Sequence, residues 1–151
     1  MTVEHPFNKI VEGIGVSDIR QFDAEVSSIP GIIKLTLGEP NFDTPEHIKE
    51  AAIQAIKDNH SHYTPNSGIP ELRQAAAAYY NKKFNFNYTA DQVITTIGAT
   101  EGIASSLQAI LNPGDTVIVP TPVFPLYLPI TLVNQGNFIT VDTSEDGFVL
   151  T

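Results

Sequence analysis

Hydrophobic positions recur at helical spacing in two stretches of the first sixty residues. Residues 17–26 place apolar side chains on one face and predict a helix that Ser17 caps. A second helix is predicted over residues 45–56, where Thr44 serves as the N-cap and Pro45 occupies the first helical position. Proline suits that position because its missing N–H has no acceptor there in any case.

Two further elements complete the first half of the chain. The apolar run of residues 32–37 predicts a short strand, and Gly38 closes it. Pro70 predicts the start of another helix, whose apolar positions continue to about Phe84. Apart from the helix of residues 17–26, the pattern before residue 30 is irregular and predicts no regular element.

From residue 93 onward, β-branched runs alternate with helical spacing. The predicted elements are, in order, a strand at 93–97, a helix at about 100–111, a turn at 112–115, a strand at 116–119, a helix at about 126–134 and a strand at 138–142. This alternation is typical of βαβ crossovers in a mainly parallel sheet covered by helices. The fold class predicted is therefore α/β.

Composition excludes several classes of protein. Hydrophobic residues make up 42% and charged residues 17% of the 151 residues, which predicts a globular domain with a sizeable core. The net charge is −9, with eight basic residues among seventeen acidic ones, so a nucleic-acid partner is not expected. No apolar run is long enough to span a membrane, no secretory signal pattern opens the chain, and cysteine is absent. A cytoplasmic location is expected.

The most informative stretch is the turn Gly98-Ala99-Thr100, which follows the run 93–97 and opens a helical pattern. Backbone N–H groups at a helix start converge on one point, and the helix dipole favours an anion there. The turn therefore predicts a phosphate seat, and the alternative is a plain helix cap by Thr100. Ligands bind at the carboxyl ends of parallel strands, so residues 121–124 are expected to converge on the same edge.

Other motifs accompany this turn in a fixed order. They are Leu37-Gly38-Glu39-Pro40, Tyr63-Thr64-Pro65-Asn66-Ser67-Gly68 and Pro122-Val123-Phe124-Pro125-Leu126-Tyr127. In this order and spacing the chain resembles the amino-terminal half of a class I aminotransferase of fold type I, which depends on pyridoxal 5'-phosphate (PLP). The resemblance extends from about Ile10 to Thr151. It implies amino acids and 2-oxo acids as substrates.

The resemblance assigns roles to residues that match the family's motifs. It implies that the Gly98, Ala99 and Thr100 turn binds the PLP phosphate through the N–H groups of Ala99 and Thr100 and the Thr100 hydroxyl. Phe124 matches the aromatic residue that stacks on the pyridine ring, a contact worth about 1 kcal/mol beyond area burial. The alternative for Phe124 is ordinary core packing. Phenylalanine also lacks the hydroxyl of the tyrosine common at this position.

Two more residues follow from the resemblance. Tyr63 matches a tyrosine that reaches the phosphate in the other subunit of a dimer, which implies a homodimer. The alternative for Tyr63 is a surface tyrosine in a loop rich in proline and glycine. Gly38 matches the position where a backbone N–H approaches the substrate carboxylate, and a residue without Cβ suits that approach.

Three other kinds of site are disfavoured. His60 and His62 have no obvious carboxylate partners, so a metal site is not expected. Glu39 and Asp43 resemble paired carboxylates, but they are interpreted as a spacer and a turn cap. No Gly-x-Gly-x-x-Gly motif is present to support dinucleotide binding.

The expected lysine of a PLP enzyme is missing. None of the six lysines stands in the Ser-x-x-Lys setting of the family, and all six are interpreted as solvated surface charges. Residues 145–151 resemble the approach to a further helix of the family. The sequence therefore predicts an inactive fragment of a longer enzyme, with an amino-terminal arm and small-domain segment over residues 1–37 and the first part of the large PLP-binding domain over residues 38–151.

The substrate is less defined than the reaction. Residues 17–23 and 34–40 are most similar to bacterial aromatic and N-acetyl-diaminopimelate aminotransferases, and an aromatic amino acid is the first expectation. A PLP-dependent β-C–S lyase would share most of these motifs and is the nearest chemical alternative. A truncated module without catalytic activity is the alternative from another class.

Overall fold

The computed structural model describes residues 7–15 and 18–151. Their regular elements are α1 (Lys9–Glu12), α2 (Asp18–Val26), α3 (Glu46–Lys57), α4 (Pro70–Phe84), a 3₁₀ helix (Ala90–Gln92), α5 (Gly98–Ile110), β1 (Thr116–Thr121), α6 (Tyr127–Val133) and β2 (Asn137–Asp142). Helix α1 lies in the stretch where no element was predicted. Helix α2 begins at the first residue described there, so the predicted cap at Ser17 lies outside the described residues.

The chain forms two compact units. The first, called the sheet unit, combines the described parts of Met1–Ile32 with Ile97–Thr151. The second, called the helical unit, is Ile33–Thr96. Gly98, Ala99, Thr100 and Phe124 belong to the sheet unit, whereas Gly38 and Tyr63 belong to the helical unit.

The sheet unit contains a parallel pair of strands joined by a helix. β1 and β2 pair in register from Thr116 opposite Asn137 to Thr121 opposite Asp142. The connection through α6 makes a βαβ unit, which the hydrophobic pattern favours because both strands carry β-branched runs. The predicted strands at 116–119 and 138–142 and the predicted helix at 126–134 are confirmed, with boundaries shifted by one or two residues.

The turn before β1 holds the starting ends of both strands. The Gly114 N–H donates to the Gln135 carbonyl at 2.8 Å, and the Asn137 N–H donates to the Asp115 carbonyl at 2.7 Å. The Asp115 carboxylate accepts from the Asn112 N–H at 2.8 Å, and this backbone hydrogen bond lowers the pKa of Asp115. The predicted turn at 112–115 is thereby confirmed, and it fixes the register of the pair.

The two main helices of the helical unit begin with proline or directly after it. α4 starts at Pro70 and ends at Phe84, as predicted, and Asn85 follows in the left-handed region with φ 56°. α3 starts at Glu46, with Pro45 as the N-cap residue and no side-chain cap. The predicted capping by Thr44 is therefore wrong, because the helix begins one residue later than the motif implied.

Two predicted strands do not form within the described residues. Residues 32–37 and 93–97 have an irregular backbone, and Ile33 and Ile97 are 87% and 92% exposed. A β-branched run becomes a strand only when a neighbouring strand accepts and donates its backbone hydrogen bonds. β1 and β2 pair with each other, and no further strand is present among the described residues to pair with either run.

The hydrophobic core is much smaller than the sequence predicts. Among the described residues, the buried hydrophobic side chains are those of Val26, Ala77 and Val119. The accessible surface is 12758 Å², against about 7,500 Å² expected for a folded monomer of this mass. The expectation of a sizeable core is therefore wrong for the described residues, because most large apolar side chains of their helices and strands stay partly or fully exposed.

Candidate cofactor site

Helix α5 begins at the glycine that the sequence singled out. Gly98 is its first residue and has φ +81°, a conformation that favours glycine, while a Cβ added there would meet no atom within 4 Å. The presence of glycine at position 98 is therefore explained by its positive φ. A clash between a Cβ atom and neighbouring residues does not explain it. The N-cap residue, Ile97, makes no side-chain cap bond. Because the N–H groups of the second and third residues of a helix have no acceptor within it, Ala99 and Thr100 present donors at the positive end of the α5 dipole.

Glu101 completes the start of α5 in a way that the sequence reasoning missed. Its carboxylate accepts a hydrogen bond from the Ile97 N–H. Glu101 is the fourth residue of α5, one place beyond the third residue that a capping box uses, so that motif does not predict the contact. The contact fixes the backbone where the chain enters α5. It also pairs the negative charge of the Glu101 carboxylate, which lies in the first turn of α5, with a backbone N–H group.

Thr100 lies inside the first turn of α5 rather than at its cap. Ile97 holds the N-cap position, so the alternative in which Thr100 caps the helix is wrong. Thr100 lines a cavity of about 280 Å³ together with Leu126 and Pro129. The Thr100 side chain therefore lies beside the start of α6. The first residue of α6, Tyr127, follows Phe124 by three positions in the chain.

A larger cavity joins the start of α5 to the segment that follows β1. It has a volume of about 600 Å³ and is lined by Ala99 and Gly102 from α5, by residues 117–120 of β1, and by Val123 and Tyr127 beyond it. The walls are mostly apolar. Of the Gly98 turn and of residues 121–124, which were expected to converge, Ala99 and Val123 line this cavity of the sheet unit.

Phe124 is not a core residue. Its side chain is 50% exposed, and its ring meets the Tyr127 ring edge to face with centroids 6.3 Å apart. The segment leaves β1 through a cis peptide bond between Thr121 and Pro122. The half-exposed ring is open to a planar ligand, but many large apolar side chains of the described residues share this exposure, so the stacking role of Phe124 stays a prediction.

The carboxyl ends of the two strands are tied together next to this segment. The Thr121 carbonyl accepts from the Thr143 N–H at 3.2 Å and from the Thr143 hydroxyl at 2.8 Å. The Ser144 N–H donates to the Asp142 carboxylate at 2.9 Å, and this bond lowers the pKa of Asp142. These contacts fix the strand ends from which residues 122–127 depart.

The two remaining predicted site residues lie in the helical unit. The Tyr63 side chain is fully exposed, and Gly38 lies in an irregular, exposed segment where a Cβ would meet no atom within 4 Å. The structure of this unit leaves both residues open to a ligand or to another chain. Their roles stay predictions.

The described part of the chain shows no feature of a metal site or of a membrane-spanning helix. Residues 7–15 and 18–151 contain no group of three histidine, cysteine, aspartate or glutamate side chains that could hold a metal ion. Within the same residues, no helix combines the length and apolar character needed to cross a membrane.

Comparison with known proteins assigns the family. The family model of "Aminotransferase class I and II" matches residues 30–151. The chain is 44% identical, over 99% of its length, to the "Probable N-acetyl-LL-diaminopimelate aminotransferase" of Bacillus subtilis (strain 168), and covers 38% of that protein. It is 37% identical, over 90% of its length, to "Aromatic-amino-acid aminotransferase 2" of Thermococcus litoralis, and covers 35% of it.

A solved structure agrees with this assignment. The aspartate aminotransferase of Thermus thermophilus, solved with maleate, superposes with a TM-score of 0.91 at 34% identity, over 97% of this chain and 40% of that one. The chain therefore belongs to the class I and II aminotransferases. The α/β class and fold type I are confirmed, and the chain spans about two fifths or less of each of these three relatives. The family depends on PLP, which confirms the predicted cofactor.

The residues present fit two parts of PLP. The dianionic phosphate matches the donors at the start of α5, a helix of 13 residues whose first turn also carries the Thr100 hydroxyl. The pyridine ring matches the half-exposed ring of Phe124, the residue after Val123, which lines the cavity. A covalent amine partner is a third requirement, and none of the six lysines stands in the family's Ser-x-x-Lys setting.

Proposed function

We propose that this chain forms the phosphate-binding part of a PLP enzyme that transfers an amino group between an amino acid and a 2-oxo acid. The observation that carries the proposal is the cavity of about 600 Å³ shared by Ala99 of α5 and by Val123 and Tyr127 beyond β1. It brings the helix start that favours an anion next to the segment that carries Phe124. The complete enzyme to which this proposal assigns the chain is called the full-length enzyme below.

Each residue has one task in this proposal. The N–H groups of Ala99 and Thr100 and the Thr100 hydroxyl hold the phosphate. Phe124 supports the pyridine ring by stacking. The Gly38 N–H orients the substrate carboxylate, which approaches closely because the residue has no Cβ. When bound, PLP supplies the electron sink that lets the amino group leave the α-carbon.

The proposal extends to substrate, assembly and domains. Aromatic amino acids are the first substrate class and N-acetyl-LL-diaminopimelate the second, on the resemblance of residues 17–23 and 34–40. The full-length enzyme is a homodimer in which Tyr63 serves the partner's site. Residues 1–37 form an arm and small-domain segment, and residues 38–151 the first part of the large domain. The cytoplasm stays the predicted location.

The 151-residue chain alone is expected to show no transaminase activity. Phosphate and ring contacts give weak binding without the covalent partner, and the six lysines stand outside the family motif. The measurement is borohydride reduction in the presence of PLP, followed by peptide mapping. Scattered labelling well below one PLP per chain is the expected result. Stoichiometric labelling of a single lysine would contradict it.

Thr100→Ala in the full-length enzyme is expected to raise the PLP dissociation constant by about ten- to a hundred-fold without unfolding the protein. The substitution removes one hydrogen bond to a charged group, which is worth roughly 1.5–3 kcal/mol. Equilibrium dialysis of PLP gives the constant, and thermal unfolding of the apo protein checks the fold. Ser105→Ala, which removes an exposed hydroxyl further along α5, is the matched control. An unchanged dissociation constant in Thr100→Ala would refute the phosphate role.

A further inference from the structure

Arg73 makes three hydrogen bonds that connect separate segments of the helical unit. Its Nη1 donates to the Ser67 hydroxyl at 2.7 Å, its Nε to the Ala90 carbonyl at 3.0 Å, and its Nη2 to the Asp91 carboxylate at 2.9 Å. The Arg73 side chain is only 15% exposed, whereas that of Asp91 is 93% exposed. An ion pair so open to water contributes little, so the two bonds to Ser67 and Ala90 define what this arginine does.

Ser67 is held from a second side. The Thr95 N–H donates to the Ser67 carbonyl at 3.0 Å, and the Thr95 hydroxyl donates to the same atom at 3.3 Å. Gly68 follows with φ +96°, and a Cβ on it would lie 1.9 Å from the Thr95 Oγ1. The segment of residues 63–68 is therefore fixed at its carboxyl end by α4 on one side and by residue 95 on the other.

Tyr63 stands at the other end of this short segment. The Gly68 N–H donates to the Pro65 carbonyl at 2.9 Å, so residues 65–68 form a closed turn that begins two residues after Tyr63. The Tyr63 side chain itself is fully exposed. Its position relative to the helical unit thus depends on the turn, and the turn depends on its contacts at Ser67.

We propose that Arg73 is a positioning residue, which fixes segment 63–68 through the Ser67 hydroxyl and thereby sets where the Tyr63 hydroxyl stands. This inference rests on the cofactor role proposed for Tyr63. An arginine suits the task because its planar fork donates in three directions at once, toward Ser67, Ala90 and Asp91. A lysine at this position has one ammonium group and cannot reproduce that arrangement.

The test uses Arg73→Met and Arg73→Lys in the full-length enzyme. Lys82→Met, which removes an exposed charge from the same helix α4, is the matched control. Hydrogen exchange of the apo enzyme measures the turn directly. Arg73→Met is expected to speed exchange at the Gly68 and Thr95 N–H groups at least about ten-fold while leaving β1 and β2 unchanged. In Arg73→Lys, the exchange rates of these two N–H groups are expected to lie between those of Arg73→Met and those of the Lys82→Met control.

PLP binding then tests whether the turn acts through Tyr63. Tyr63→Phe alone is expected to raise the PLP dissociation constant about ten- to a hundred-fold. Arg73→Met is expected to raise it as well, but to add less than about two-fold when Tyr63 is already phenylalanine. Such non-additivity is what a residue that only positions Tyr63 produces, and a general loss of stability would not produce it.

The outcomes separate the two proposals. If Tyr63→Phe weakens PLP binding but Arg73→Met does not, or if the two effects multiply in the double variant, the positioning role is overturned and the role of Tyr63 stands. If Tyr63→Phe leaves PLP binding unchanged, the cofactor role of Tyr63 fails and the inference about Arg73 fails with it. Unchanged exchange at Gly68 and Thr95 in Arg73→Met would overturn the fixing of the turn.

Discussion

Replacing Gly68 with alanine is expected to lower the free energy of unfolding by about 2–5 kcal/mol. A Cβ there would lie 1.9 Å from the Thr95 Oγ1 and 3.0 Å from its Cβ and Cγ2, and forced overpacking costs about 1–3 kcal/mol. The φ of +96° adds roughly 1–2 kcal/mol for any residue with a side chain. Thermal and denaturant unfolding of the apo full-length enzyme give the value.

Two variants separate the steric part of this cost from the backbone part. Thr95→Ala removes the nearest atom, so Gly68→Ala is expected to cost less in that background, by about the 1–3 kcal/mol of the overlap. Gly15→Ala is the matched control, because a Cβ there meets no atom within 4 Å and its φ lies outside the positive range. Gly68→Ala that is no more destabilising than Gly15→Ala would show that the close approach to Thr95 is absent in solution.

The elements that the sequence predicted well are those whose stabilising contacts lie close along the chain. β1, α6 and β2 follow one another within 27 residues, so each strand finds its partner inside the same short stretch. α3 and α4 begin at proline signals that act on the backbone locally. For such elements the hydrophobic pattern and the turn residues are sufficient information.

The failures are elements that need a distant partner. Residues 32–37 and 93–97 have the apolar, β-branched character of strands, but strand formation depends on a neighbour that the described residues do not provide. The overestimated core has the same origin, since an apolar face counts as core only when another layer covers it. Neither the hydrogen bonds of Arg73 nor the contact of Glu101 with Ile97 could be predicted, because both depend on side-chain geometry rather than on spacing.

In the candidate site, too, the local features could be predicted from the sequence and the others could not. The position of Gly98 at the start of α5 follows from local chain properties, and its positive φ agrees with the choice of glycine. The proposed roles of Phe124, Tyr63 and Gly38 came from resemblance alone. The structure adds an exposed ring at Phe124 and an open surface at Tyr63, which these roles require, and binding experiments decide them.

Activity is expected to return when two defective forms of the full-length enzyme are mixed. One form carries Tyr63→Phe, and the other lacks the lysine that binds PLP covalently. If Tyr63 serves the partner's site, each hybrid dimer has one site with both lesions and one site with neither. Random exchange of equal amounts puts half of the dimers in hybrids, so about a quarter of the wild-type activity per site is expected.

The PLP concentration makes this test sharp. It is set between the dissociation constants of the wild type and of Tyr63→Phe, which are expected to differ by about ten- to a hundred-fold, so that the Tyr63→Phe parent is nearly empty and inactive by itself. Tyr88→Phe is the matched control, because phenylalanine keeps the ring contact with Phe86 at 5.2 Å and that parent should remain active alone. Hybrids confirmed by mass spectrometry that recover no activity would show that Tyr63 serves its own subunit or only packing, since an intact site would then never form across the interface.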